Sequence, residues 1–269
     1  MVMRTFLALC CAARCAAAES EAQPDAPNAS FFQRCAFISI DIQEGTKPAR
    51  LTIDQIPSLW REMGFTAEDV NAANDHAWDV ALPNAVKVAD ACRAARLPMI
   101  FVHWGYRFED GMDLDPDIRN SMLKEHGTDY DKWSGHIDLP SSHPAKALGI
   151  RDGEYVLPKT GQDAFASSSL DFVLRNLGAK NIVFVGGHTG ACLGKTAASA
   201  KRLGYTIMCV RDATNSARES TREQEIRDTG YDYVLSTDEF LAWTELASAS
   251  DAGGSKEAQR KPHPGSGSG

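Results

Sequence analysis

Nowhere in this 269-residue sequence does an uninterrupted apolar run approach the ~20 residues that cross a bilayer, which excludes a membrane span as an organising element. Basic charge is also short. Lys and Arg number 28 against 36 Asp and Glu, a formal net charge of -8, so the clustered cations that hold a phosphate backbone are missing and nucleic acid is excluded as a partner. The seven cysteines include no CxxC pair, which removes zinc-ribbon and thioredoxin-like chemistry. No segment repeats another.

What is present is enough for one core. With 43% hydrophobic and 24% charged residues, the chain fits a single domain with appendages. Arg4, the apolar stretch from Phe6 to Ala13 and the small residues Ala16 to Ala18 follow the order of a secretory signal peptide. Residues 1–18 are therefore expected to be a leader and the protein to be secreted or periplasmic, with a cytoplasmic location as the alternative. Residues 19–32, rich in Ala, Pro, Asn and acidic residues, read as a linker, 33–248 as the folded domain, and 249–269 as a disordered tail. Outside the leader remain Cys35, Cys92, Cys192 and Cys209; Cys92 and Cys209 sit in apolar patterns that bury them, and any pairing among the four stays open. A closed homo-oligomer is the general expectation for a soluble assembly.

Short apolar runs alternate with longer segments of helical period, the pattern of a mostly parallel α/β sheet. Strands are predicted at Ala36–Asp41, Pro98–His103, Asn181–Gly186, Thr206–Val210 and Tyr231–Leu235, and helices near Asn84–Arg96, Ser168–Leu177, Leu193–Leu203 and Thr237–Ala247. Two long connections, Gln43–Ala81 and Trp104–Gly149, are the places to look for substrate contacts.

Ligands of open parallel sheets bind beyond the carboxyl ends of the strands, so polar residues that close apolar strands are candidate site residues. Asp41 closes the first strand, and Gly186-Gly-His-Thr-Gly-Ala-Cys192 follows a later one and leads into a helix. A cysteine at a helix start meets partial positive charge, which favours thiolate over thiol, and the ammonium of Lys159 would add to that effect. Asp41 would accept the thiol proton and return it to a leaving amine, while backbone N–H groups of the Gly-rich turn converge on a developing oxyanion.

In combination these residues resemble the isochorismatase-like, nicotinamidase-related cysteine hydrolases: a strand ending in Asp41 with Ile42 and Gln43, Lys159 with Phe165 six residues on, then Gly186-x-x-Thr189-x-x-Cys192, Thr196-Ala197, Gly204-Tyr205 and Val210-Arg-Asp-Ala213. The resemblance runs in order from about Ala36 to Leu235. It implies a three-layer α/β/α sandwich with a mostly parallel central sheet and a Cys192–Asp41–Lys159 triad acting on a small-molecule substrate without a cofactor. It further implies a cis peptide just before His188, with the backbone amides of His188 and Cys192 as the oxyanion hole. His103-Trp104-Gly105 stands where metal-dependent nicotinamidases carry an Asp-x-His motif, so no catalytic metal is expected. Gln43, His103, Trp104 and Phe165 are candidate pocket residues.

The chemistry favoured on this basis is hydrolysis of an amide or ureide C–N bond through an acyl-enzyme on Cys192. Vinyl-ether hydrolysis is the alternative within the family, and a non-catalytic exported binding module on the same fold is the alternative outside enzymology. Gly194-Lys195-Thr196 resembles the end of a phosphate loop, but Thr189 stands where that loop needs its leading glycine. Trp60, Trp104, Tyr106 and Trp133 could wall an apolar pocket.

Overall fold

Six strands form one sheet in which every pairing is parallel: β1 Cys35–Ile40, β2 Met99–Trp104, β3 Tyr155–Lys159, β4 Asn181–Gly187, β5 Thr206–Asn215 and β6 Tyr233–Leu235, in the order β3-β2-β1-β4-β5-β6. The structure is a computed structural model that describes residues 29–245, so the expected leader at 1–18 and the tail at 249–269 lie outside the described residues. Between the strands run α1 Ser58–Glu62, α2 Ala67–His76, α3 Leu82–Ala94, α4 Pro116–His126, α5 Ala164–Ser167, α6 Leu170–Asn176, α7 Cys192–Arg202 and α8 Arg222–Thr229; residues 237–245 form α9.

The central strands are buried on both faces, which is why they read as continuous apolar runs rather than as alternating ones. Period-2 geometry then sorts their side chains. Phe37, Phe101, Val183, Val185, Met208 and Val210 face a layer containing α3 and α9, while Ile38, Ile40, Ile100, Val102, Ile182, Phe184 and Ile207 face the layer of α5, α6 and α7. Each fully buried side chain of this kind contributes about 1.5–3 kcal/mol of transfer free energy, so the three layers are held chiefly by this double-sided core. The three-layer expectation is met, and the sheet is wholly parallel.

Several expectations need correction. The linker ends before Phe31, not after Phe32. A 3-10 turn spans Ala29–Arg34, with Phe31 buried against Trp243 and Phe32 stacked on the same indole at 4.1 Å, because two adjacent aromatics have a hydrophobic reason to fold back that the preceding polar residues lack. The strand Tyr155–Lys159 was not foreseen; it is an edge strand with Tyr155 and Val156 exposed and Pro158 unable to donate to a ladder. The two long connections carry helices of their own. Thr66 and Asp69 cap α2 reciprocally, a π-turn at Ala77–Ala81 leads on into α3, and Asp115 caps α4. Buried Tyr106, Leu114 and Trp133 give the second connection a small core. No described helix is long and apolar enough to cross a membrane.

The order in which strands are added reverses between β1 and β4, which are paired in parallel from Cys35–Asn181 to Ile40–Gly186. At such a switch point the connections leave in opposite directions and open a crevice at the carboxyl ends. Asp41 and the turn after Gly187 flank it.

Candidate active site

Asp41 leaves β1 with a φ of 52°, a left-handed conformation that Asp tolerates better than most residues. One of its carboxylate oxygens, Oδ2, lies 2.8 Å from Nζ of Lys159, the last residue of β3. The Lys159 side chain is fully buried, although β2 lies between its strand and β1. Its ammonium also donates to the Gly161 carbonyl at 3.1 Å. The other oxygen of Asp41, Oδ1, is buried without a hydrogen-bond partner. A buried carboxylate is stable only when its hydrogen-bonding capacity is largely used, and besides Lys159 the group that approaches this one is the Cys192 thiol.

The turn from β4 into α7 is shaped by its glycines. Gly186 has a φ of 104°, and a Cβ there would sit 2.1 Å from the Ile40 carbonyl oxygen; at Gly194 a Cβ would sit 2.1 Å from the Thr189 carbonyl oxygen. Only glycine lets β4 press on the end of β1 and the first turn of α7 press on the loop. The Gly187–His188 peptide is cis, as the resemblance implied. Ala191 and Leu193 donate to the His188 carbonyl at 2.9 and 3.1 Å, and α7 has no side-chain cap. Among the described residues, the N–H groups of His188 and Cys192 donate to no backbone carbonyl. They stand on the same turn as Cys192, the first residue of α7.

Asp41, Lys159 and Cys192 are thus brought together, with both charged groups within reach of the Cys192 thiol. The electrostatic balance differs from the expectation of a ready-made thiolate. Burial pushes the thiol up to about 12, the Asp41 charge pushes the same way, and Lys159 opposes them. Desolvation outweighs the helix start and the ammonium, so the sulfur of the free protein holds its proton. His188 is held below the usual imidazole range, chiefly by burial, against the pull of Asp41 and Glu225. It is neutral at pH 7, and Trp60 packs edge-on against its ring at 6.1 Å.

The other expected pocket residues fall into distinct places. His103 is buried, its Nδ1 2.7 Å from the Ser142 carbonyl oxygen; burial depresses its pKa, so the neutral ring donates from Nδ1. Gln43 uses its amide as a brace, donating to the carbonyls of Trp104 at 3.0 Å and Ser142 at 2.9 Å and accepting from the Trp104 N–H. Trp104 stacks edgewise with Tyr106, which meets Trp133, so three of the four expected wall aromatics pack mainly on one another. Phe165 packs on Tyr205. Among the described residues no three His, Cys, Asp or Glu side chains converge tightly enough to hold a metal ion.

Other site-shaping contacts could not be read from the sequence. Thr196, the apparent phosphate-loop threonine, is buried and accepts from the Ala164 N–H at 3.1 Å, and Ser199 donates to Asp163. These bonds tie the loop after Lys159 to the helix that starts at Cys192. Glu225 of α8 binds the hydroxyls of Thr189, Ser216 and Thr221. The contacts of Thr196, Ser199 and Thr189 join residues more than thirty positions apart and leave no local pattern to read.

Comparison with known proteins agrees with this architecture. A family model for the isochorismatase domain matches residues 35–239. The isochorismatase family protein YwoC of Bacillus subtilis (strain 168) is 28% identical over 198 residues, 73% of this chain and 85% of that protein. Ureidoacrylate amidohydrolase RutB of Pseudomonas syringae pv. syringae (strain B728a) is 28% identical over 180 residues, 59% and 69% respectively. Among solved structures, an isochorismatase family protein from Burkholderia thailandensis superposes with a TM-score of 0.56 at 25% identity, covering 81% of this chain and 97% of that one. N-carbamoylsarcosine amidase from Thermoplasma acidophilum shares the fold, with a TM-score of 0.52 at 22% identity over 76% of this chain and 97% of its own. The chain belongs to the isochorismatase family and is a hydrolase built on its parallel α/β/α fold.

Proposed function

We propose that this hydrolase cleaves the C–N bond of a small amide or ureide through a covalent thioester on Cys192. The observation that carries the reading is the fully buried Lys159 ammonium, 2.8 Å from the Asp41 carboxylate, with both groups within hydrogen-bonding reach of one thiol. Two relatives named for ureido and carbamoyl compounds support the substrate class.

The chemistry follows from the charges. When substrate displaces water from the crevice, the Cys192 proton passes to Asp41 and the sulfur attacks the carbonyl carbon. Lys159 stabilises the thiolate at that moment, and the N–H groups of His188 and Cys192 receive the negative oxygen. Asp41 returns the proton to the leaving nitrogen as the C–N bond breaks. Water then adds to the thioester, gives its proton to the same carboxylate, and releases the acid and the free thiol. One water is consumed per bond broken. A thiol that stays protonated until substrate arrives also resists adventitious oxidation.

The test is ammonia release from a panel of small primary amides and ureides by the parent protein and by Cys192→Ala. Release by the parent alone is expected. Equal release by Cys192→Ala would overturn the scheme, and silence from both, with Cys192 still open to alkylation at alkaline pH, would redirect it to non-amide substrates such as vinyl ethers.

A further inference from the structure

The turn that carries Cys192 rests on a charged group that plays no part in the chemistry above. Oε2 of Glu225 accepts from the hydroxyl of Thr189 at 2.6 Å and from that of Ser216 at 2.7 Å, while Oε1 accepts from the hydroxyl of Thr221 at 2.7 Å. Thr189 and Ser216 are almost wholly buried. The carboxylate also lies directly under Gly190, where a Cβ would come within 2.7 Å of its carbon. A second tie runs alongside, from the Thr189 N–H to the Asn215 carbonyl at 2.9 Å. The nucleophile turn is therefore fastened at one residue, Thr189, through its side chain to α8 and through its backbone to the end of β5.

We propose that Glu225 is a positioning residue for acyl transfer: through Thr189 it sets the turn so that the N–H groups of His188 and Cys192 face the carbonyl oxygen under attack. The inference rests on the reading of the site given above. Burial alone would raise the Glu225 pKa, but the hydroxyls of Thr189, Thr221 and Ser216 and the neighbouring His188 outweigh it, and the carboxyl is held below its usual range. It is an anion, and hydrogen bonds to an anion are about twice as strong as neutral ones. Donors approach both of its oxygens, so removing the carboxylate leaves the buried hydroxyls of Thr189 and Ser216 without their shared acceptor. Because oxyanion donors act only when aimed to within a fraction of an ångström, a small shift of Thr189 is felt in catalysis before it is felt in folding.

The test uses p-nitrophenyl acetate, an activated ester that needs no dedicated substrate pocket. The thiol gains an acetyl group, the C–O bond to the leaving group breaks, and p-nitrophenolate is read by absorbance while the thiol proton leaves through Asp41. A burst in the full-length parent that Cys192→Ala lacks establishes the nucleophile; no burst in the parent would overturn the catalytic reading and this inference with it. Given the burst, Thr189→Val and Glu225→Ala are expected to slow acetylation about 10- to 100-fold. Half-saturating ester concentration and the rate of Cys192 alkylation by iodoacetamide should change little, and Thr189→Ser, which keeps the hydroxyl, should restore the parent rate. Parent-like acetylation in Thr189→Val would overturn the inference. A parallel fall of acetylation and alkylation would overturn it too, since that would mean the sulfur itself had been displaced.

Discussion

Among the described residues, two ion pairs have both side chains largely withdrawn from solvent, and they are built differently. Arg93 of α3 and Glu154, just before β3, make a closed pair: Nε meets Oε1 at 2.6 Å and Nη2 meets Oε2 at 3.0 Å, and Nη2 also reaches the Leu148 carbonyl at 2.9 Å. Further support comes from the Arg151 N–H donating to Glu154, Asp90 flanking the guanidinium, and the Phe101 ring lying 5.7 Å from it. Burial pushes Glu154 up, but the bonds from Arg93 and Arg151 more than offset it, so the carboxyl is held below its usual range. Lys159 and Asp41 form an open pair, with a single contact between them and the Cys192 thiol within reach of both. A closed pair holds two segments together, whereas an open one keeps a proton acceptor in reserve. What separates structure from chemistry here is the thiol beside the open pair, since both pairs are largely withdrawn from solvent.

That contrast makes predictions of decreasing size. Replacing Lys159 by Met leaves the Asp41 anion uncompensated in the crevice, and turnover per folded molecule should fall by about 10^2- to 10^4-fold, the usual worth of a positioned acid–base group. The matching change in the closed pair, Arg93→Met, should cost about 3 kcal/mol of stability by stranding Glu154 and leave kcat near the parent value. Denaturant titration and steady-state kinetics on the two variants measure both effects; loss of turnover in Arg93→Met would erase the distinction. A smaller effect is expected at Thr196→Val, which leaves the Ala164 N–H without its acceptor: about 1–2 kcal/mol of stability, together with a modest fall in kcat as the loop after Lys159 loosens. A fall in stability with kcat untouched would show that this tie serves the fold alone.

Much of this was legible along the chain, and the reasons differ element by element. β1, β2, β4 and β5 announced themselves because strands buried on both faces must be apolar throughout. Asp41 and Cys192 were legible because one closes an apolar strand and the other opens a helix at the rim where parallel sheets bind ligands, whereas Lys159 was legible only through the motif it shares with the family. β3 was not, since an edge strand with Pro158 and two exposed residues carries no such constraint. α4 was equally silent: none of its residues is buried, so no periodic apolar face betrays it. The ionisation of Cys192 was misjudged for a physical reason, because helix polarity and a nearby ammonium are visible in sequence while the desolvation that overrides them comes from tertiary packing. Glu225 could not be found at all until α8 was folded beneath the β4–α7 turn.

The central claim is that Asp41 draws the proton from Cys192, and the Asp41→Asn variant tests it most directly, with iodoacetamide alkylation of Cys192 and hydrolytic turnover measured on the same preparation across pH 7 to 10. In the parent, alkylation should climb by about tenfold per pH unit without levelling, since the thiol is pushed up to about 12. Because the Asp41 charge is one of the causes that raise the thiol, its removal should make alkylation faster at every pH while turnover collapses. If alkylation and turnover fell together, or if turnover survived, Asp41 would not be the proton acceptor and the account would be wrong.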